Sequence, residues 1–241
     1  MTGATGSVYV GLHEFEEMAF ALHFLRPGDL FVDVGANVGV YTVLAAGCAK
    51  ARCVSVEPIP TTYRDLIANV RLNELESLVQ TLQVGLGAEP GEMSFTTTGD
   101  TINHVLAAGE SVEDSASVVV TTLDDILKND RPTLMKVDVE GWETKVLEGA
   151  ETVLSNDSLT GLIIELNGSG SRYGFDEEVI LRKLERHGFR AYRYQPFTRT
   201  LRPLPGGKNV DGGNTLFIRS PQAVAERVRT SPGYAILGVE L

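Results

Sequence analysis

The chain has 241 residues, 43% of them hydrophobic and 22% charged, with a formal net charge of −11. That length suits one α/β domain with a sizeable core, and the composition excludes a largely disordered chain. The negative balance argues against non-specific binding of nucleic acid or of an anionic membrane, both of which are drawn by clustered Lys and Arg.

In chain order, the first expected element is an amphipathic helix over residues 14–25, ended by Pro27 and Gly28 and able to close over a ligand crevice. Apolar runs then alternate with segments of helical spacing. Strands are expected over 30–34, 52–57, 78–86, 133–139, 161–166, 190–195 and 215–219, and helices over 39–48, 60–72, 122–129, 143–154 and 176–187. This alternation is the pattern of a doubly wound, mostly parallel α/β sheet covered by helices on both faces. Residues 91–121 break it and read as an inserted hairpin and loop. The basic segment with Arg193, Arg199, Arg202 and Lys208 reads as a loop able to offer a locally positive roof. The C-terminal "AVAERVRT" helix and "YAILGVEL" tail have two options, a second subunit of a homo-oligomer or the chain's own body. No internal repeat or linker interrupts the sequence, so residues 1–241 are expected to form a single domain.

Cys48 and Cys53 have neither metal-ligand spacing nor a disulfide framework and read as small buried core residues. No basic-then-apolar leader is visible at the N-terminus, and no apolar run approaches the ~20 residues of a membrane helix, so a cytoplasmic location is expected.

The chemistry concentrates at strand ends. In "DVGANVG", Gly35, Ala36 and Gly39 permit a tight turn at the end of a strand, and Asn37 tolerates unusual backbone angles where related loops carry another glycine. Glu57 ends the next strand, at the spacing of an acid that accepts ribose hydroxyls. The loop departs from the dinucleotide pattern G-x-G-x-x-G and lacks the Gly-Lys-Ser/Thr of a mononucleotide loop. Asp33 disfavours a bound pyrophosphate but suits the sulfonium and amino group of S-adenosylmethionine.

The segments "FVDVGANVGVYT", "VSVEP", "TLDDIL", "LMKVDVEGWETKVLEGA" and "IIEL", in this order, resemble the FkbM family of S-adenosylmethionine-dependent methyltransferases. The resemblance spans roughly residues 8–220 and implies a Rossmann-like class I methyltransferase fold with a seven-stranded sheet whose last strand is antiparallel. It implies S-adenosyl-L-methionine as cofactor and O-methylation of a hydroxyl on a small-molecule or glycan acceptor, a sugar or secondary metabolite. Asp33, Gly35, Asn37 and Gly39 then match the cofactor loop and Glu57 the ribose acid, with Gly85 and Leu86 as weaker cofactor contacts. Asp138 and Glu140 fall in the "KVDVEG" block, where methyl group and acceptor meet.

A base within hydrogen-bond reach of the acceptor assists such a transfer. Asp138 and Glu140 qualify by position, and His104 in the inserted loop is a third candidate, with Asn103 beside it. Lys136 reads either as a partner for a neighbouring acid or as a lysine snorkelling at the sheet's edge. Trp142 reads chiefly as packing. Asp138, Glu140 and Glu165 together raise a shared divalent cation, but three acids at strand ends do not specify a metal site and none is assigned. Two other classes share parts of this pattern: a nucleotide-binding oxidoreductase of the NAD(P) type and a non-catalytic regulatory protein that binds S-adenosylmethionine.

Overall fold

A computed structural model describes residues 11–97, 103–107, 109, 113, 115–210 and 213–241 of the protein. In chain order the elements are α1 (Phe15–Phe24), β1 (Leu30–Val34), α2 (Val40–Val43, continued by a π-helical turn Leu44–Cys48), β2 (Arg52–Val56), α3 (Pro60–Leu72), β3 (Val79–Leu82), β4 (Gly85–Leu86), β5 (Gly91–Thr96) and β6 (Ser115–Thr121). There follow α4 (Leu123–Leu127), β7 (Leu134–Val137), α5 (Glu143–Glu148), α6 (Glu151–Ser155), β8 (Gly161–Glu165), α7 (Glu177–Arg186), β9 (Arg190–Gln195), β10 (Thr200–Pro203), β11 (Asn214–Ile218), α8 (Pro221–Arg229), β12 (Ala235–Ile236) and β13 (Val239–Glu240).

The main sheet has the order β10-β9-β11-β8-β7-β1-β2-β3. Strands β3, β2, β1, β7 and β8 run parallel, and β11 is antiparallel to both of its neighbours, β8 and β9. Side chains of a strand alternate between faces, and both faces here are apolar because both are covered by helices. One face sends Phe31, Cys53, Leu134 and Ile163 into a core shared with α1, α2, α3 and α8; the other sends Val32, Val54, Met135 and Leu162 into a core shared with α4, α5, α6 and α7. Asp33 and Lys136 are buried charged residues on the first face, where they are register partners on adjacent strands, and Ser55 is a buried polar residue beside Asp33 on β2.

Local signals fix the helix starts. Pro60 occupies the first turn of α3, where its fixed φ suits the helix and its missing N–H costs nothing. The Thr122 hydroxyl caps α4 by accepting from the Asp125 amide at 3.0 Å, and the Asp176 carboxylate does the same for α7 at the Glu178 amide.

Several expectations are corrected. The sheet has eight strands rather than seven: Thr200–Pro203 pairs antiparallel with β9 across a turn that holds Arg199 at φ 51°. Its alternating polar residues and terminal proline suit an edge strand and hide it in the sequence. The segment 78–86 divides, because Gly85–Leu86 leaves the main sheet to pair with β6 in a three-stranded sheet of order β4-β6-β5. The antiparallel β5–β6 pair is the inserted hairpin; parts of its connecting loop lie outside the described residues. The helix over 143–154 is two short helices separated at Gly149 and Ala150. Helix α1 is not amphipathic: Met18 to Phe24 are all buried, the signature of a helix enclosed on every side. Cys53 is buried as expected, whereas Cys48 is exposed at the end of the π turn.

The C-terminal tail turns back on its own chain. Tyr234 and Leu241 exchange backbone hydrogen bonds of 3.1 and 2.9 Å, and the Arg199 guanidinium donates to the carbonyls of Ser231 and Leu241 at 2.5 and 2.9 Å. Among the described residues, no helix is long and apolar enough to cross a membrane.

Candidate active site

The parallel strands end their carboxyl termini along one edge, and a cavity of about 250 Å³ opens there. Open α/β sheets bind ligands at this position. Its walls come from the β1–α2 loop, the end of β2, the segment after β7, the end of β8 and the residues leading into α1.

The glycine turn is shaped by contact. Gly35 has φ 74°, and a Cβ built on it would stand 1.9 Å from the Asp138 carbonyl oxygen. Gly39 has φ 89°, and its Cβ would meet Leu66 Cδ1 at 2.5 Å. Gly35 is required for both backbone angle and space, whereas at Gly39 the backbone angle is the main constraint, because the tip of Leu66 can shift. Asn37 adopts φ 51°, the left-handed conformation its side chain tolerates. Its amide donates to Glu57 Oε2 at 3.0 Å, and the Ile59 amide donates to Glu57 Oε1 at 2.9 Å. Each Glu57 oxygen thereby keeps a lone pair for a further donor from the cavity.

Asp33 is 1% exposed and accepts from Thr42 Oγ1 at 2.7 Å, a hydroxyl that also meets Ser55 Oγ at 2.7 Å. Lys136 is 4% exposed, in the middle of the sheet, which removes the reading of a lysine snorkelling at an edge. Its ammonium contacts Asp138 Oδ2 at 2.5 Å and lies 4.9 Å from the centre of the Tyr41 ring. The Tyr41 hydroxyl donates to Glu14 Oε2 at 2.5 Å. Burial works against the charge on Lys136, but the carboxylates of Asp138, Glu14 and Asp33 outweigh it and raise its pKa. Burial likewise opposes ionisation of Glu14, yet its hydrogen bond with His13, the nearby Lys136 and the Tyr41 hydroxyl hold its carboxyl down to about 2.

The turn after β7 is braced from below. Glu143, buried in the first turn of α5, accepts the amides of Val139 and Gly141 through Oε1, each at 3.1 Å. This presents Glu140, at φ 54°, to the cavity beside Asp138. Oxygens of Asp138, Glu140 and Glu165 all lie within 4.8 Å of one another.

Among the residues expected from sequence, Asp33, Gly35, Asn37, Glu57, Asp138 and Glu140 line this cavity together with Asn103 and Glu165. Gly39 shapes the loop from behind. Leu86 instead lines a small adjoining recess with Val84 and Trp142, and Gly85 is buried under Val120 and Phe95. His104 stands off the cavity wall, its backbone paired with Thr96 in the hairpin, although its charge reaches Glu140. Trp142 packs edge-on against Tyr173, ring centres 4.8 Å apart. The positive roof is not among the described lining of the cavity, which includes none of Arg193, Arg199, Arg202 and Lys208: Arg193 pairs with Glu16, Lys208 with Glu177, and Arg199 holds the tail.

Glu14, Tyr41 and Glu143 are the residues that sequence reasoning passed over as site components. Glu143 had a signal, an acid in the first turn of the helix after "DVEG", where it can reach back to loop amides. Nothing local marks Glu14 or Tyr41.

Buried acids in and near the site make stability depend on pH. Burial pushes the Glu17, Glu57 and Glu143 carboxyls from 4.5 up to about 7 and that of Glu165 up to about 8. Between the ordinary and shifted values the folded chain holds protons that the unfolded chain has released, so stability falls as pH rises. His23, pushed down by burial from 6.5 to about 4, acts in the opposite sense only below its ordinary value. The thermal midpoint of the ligand-free protein should therefore fall between about pH 6.5 and 8, and Glu57→Gln should flatten that slope. A midpoint that rises across this window contradicts the assignment.

The parallel sheet, with its crevice beyond the ends of β1, β2 and β7, is the Rossmann-like fold that methyltransferases share. The fold is that of the crystal structure of methyltransferase FkbM from Methylobacillus flagellatus KT, with a TM-score of 0.56, 20% identity, and coverage of 86% of this chain and 49% of that one. The chain belongs to the FkbM methyltransferase domain family, which it matches over residues 33–191. It is similar to the hexuronic acid methyltransferase AglP of Haloferax volcanii, 29% identical over 142 residues that make up 58% of this chain and 56% of that protein. It is also similar to methyltransferase sdnD of Sordaria araneosa, 26% identical over 171 residues, covering 57% of this chain and 66% of the relative. The chain thus matches between about half and two thirds of the length of these relatives.

Proposed function

We propose that this chain is an S-adenosylmethionine-dependent O-methyltransferase, built as one domain, whose acceptor is a hydroxyl of a sugar-like molecule or secondary metabolite. The observation that carries the reading is Glu57: a buried carboxylate, tied to the glycine turn by the Asn37 and Ile59 amides, with acceptor capacity left toward the cavity. A ribose diol supplies two donors for it. The residues fit the cofactor in a second respect, because Asp33 and Asp138 put negative charge where a sulfonium and an ammonium gain from it.

When bound, S-adenosylmethionine supplies a methyl group on a positively charged sulfur, which leaves with the electron pair of the broken carbon–sulfur bond. The protein's part is positioning and proton transfer. Asp138, whose Oδ2 is held by Lys136, takes the hydroxyl proton as the acceptor oxygen bonds to the methyl carbon. Glu140 orients the acceptor from the same turn. The hexuronic acid named for the Haloferax volcanii relative supports a sugar-like acceptor.

Calorimetric titration with S-adenosylhomocysteine, run beside NADH and ATP, tests the reading. Selective binding of S-adenosylhomocysteine is expected, and Glu57→Ala should weaken it by roughly two orders of magnitude, the loss of about 3 kcal/mol in charge-assisted hydrogen bonds. Binding of NADH in its place favours the oxidoreductase, and no binding by a folded sample removes the proposal.

A further inference from the structure

The cavity carries more acidic groups than a bound cofactor would use. Its lining holds six carboxylates, those of Glu14, Asp33, Glu57, Asp138, Glu140 and Glu165. The basic side chains among its described lining residues are Lys136 and His13, and each already faces an acid, Asp138 at 2.5 Å and Glu14 at 3.6 Å. Arg172 and His104 reach Glu140 electrostatically. The hairpin adds no compensating lysine or arginine, since residues 72–127 contain none. None of Arg193, Arg199, Arg202 and Lys208 is among the described lining residues, and Arg193, Lys208 and Arg199 are engaged with Glu16, Glu177 and the tail.

Under the reading above, Glu57 serves the ribose, Asp33 is engaged with Thr42, and Glu14 is engaged with Tyr41. Glu140 and Glu165 remain for the acceptor, together with the one oxygen of Asp138 that Lys136, bound to Oδ2, leaves open. Glu165 Oε2 is buried without a hydrogen-bond partner, and an orphaned buried carboxylate oxygen is costly unless a donor arrives. Burial, then the charges of Asp138, Glu140 and Glu143, push the Glu165 carboxyl up to about 8. Near pH 7 the folded chain therefore keeps a proton there, and an arriving cation favours its release and the charged form.

We propose that this end of the cavity selects an acceptor bearing an ammonium group beside its reactive hydroxyl, a vicinal amino alcohol such as an amino sugar, with the ammonium held among Asp138, Glu140 and Glu165. The proposal rests on the methyltransferase reading and narrows its acceptor. Three oxygens no more than 4.8 Å apart share a centre within about 2.8 Å of each, the length of an N–H···O hydrogen bond. An ammonium has three donors, one for each carboxylate. Asp138 then touches both the ammonium and the neighbouring hydroxyl whose proton it takes, so the charge that recognises the acceptor also places the reacting oxygen. A uronate would instead set a fourth carboxylate against three, which separates this acceptor from the one named for the hexuronic acid relative.

The test measures binding of three probes with closely related sugar rings and different charge, glucosamine, N-acetylglucosamine and glucuronate, to the full chain saturated with S-adenosylhomocysteine, by ligand-observed NMR titration at pH 7 with a chelator present. Glucosamine is expected to bind at least about tenfold more tightly than its neutral N-acetyl form, with glucuronate weakest. Glu165→Gln and, separately, Glu140→Gln should each erase most of that preference while leaving S-adenosylhomocysteine affinity unchanged. Equal binding of the three probes, binding of none, tighter binding of glucuronate, a preference that appears only when Mg²⁺ replaces the chelator, or a preference that survives in both variants each overturns the proposal. Failure of S-adenosylhomocysteine to bind is a separate result that removes the methyltransferase reading, and the probe ranking is then still read on the free protein.

Discussion

Lys136→Met is expected to destabilise the fold by about 3–5 kcal/mol, the cost of leaving buried carboxylates without their counter-charge. Lys136 is the register partner of Asp33 across β1 and β7, contacts Asp138 at 2.5 Å and is attracted by Glu14. Methionine matches the length of the stem and fits the apolar surroundings, so the variant removes charge with little change in packing. Asp33, 1% exposed, then keeps the hydroxyl and backbone amide of Thr42 but no counter-charge from Lys136. Denaturant unfolding at pH 7 measures the deficit, and it should shrink at lower pH, where the orphaned acids take up protons. The methyl transfer proposed above should fall with it, because Asp138 loses the contact that orients it. A loss below about 1 kcal/mol would mean that Lys136 and its acids do not depend on one another as their geometry indicates.

Gly35→Ala strikes the same assembly from the opposite wall. A left-handed φ costs alanine about 1–2 kcal/mol before any contact is considered, and the new methyl would lie 1.9 Å from the Asp138 carbonyl oxygen. That oxygen cannot simply turn away, since the Asp138 amide is bonded to the Val34 carbonyl and the following turn is held by Glu143. Either the glycine loop or the Asp138–Glu140 turn must move, and each is a wall of the cavity. Loss of more than 100-fold in S-adenosylhomocysteine affinity is the expected calorimetric result, with a drop in unfolding free energy of about 3 kcal/mol or more. Gly91→Ala, where an added Cβ meets nothing within 4 Å, is the control and should leave both quantities unchanged. Unaltered affinity in the Gly35 variant would show that the loop relaxes and that the close approach is not required.

Much of this was legible in the residues. The glycine turn announced its own geometry: Gly35, Asn37 and Gly39 all adopt positive φ, and Glu57 lies where its spacing from Asp33 puts it. Five parallel strands followed from apolar runs between helical segments, because burial on both faces leaves that pattern in the sequence. The eighth strand did not, since an edge strand that is half in solvent carries polar residues and proline. Nor did the burial of α1 on all sides, which depends on α8 and the tail folding back over it.

The sequence by itself determined the periodicity, the positions that need glycine and the carboxylates at strand ends, because each is a property of one short segment. Tertiary structure alone decided which of those groups meet. Lys136 became the hub of the site because parallel register sets it beside Asp33, while the chain before α1 brings Glu14 over it through Tyr41. Asp138, Glu140 and Glu165 became one cluster because the ends of adjacent strands β7 and β8 converge. Contacts between segments far apart in the chain leave no local pattern, and the charge balance of a cavity is the sum of such contacts.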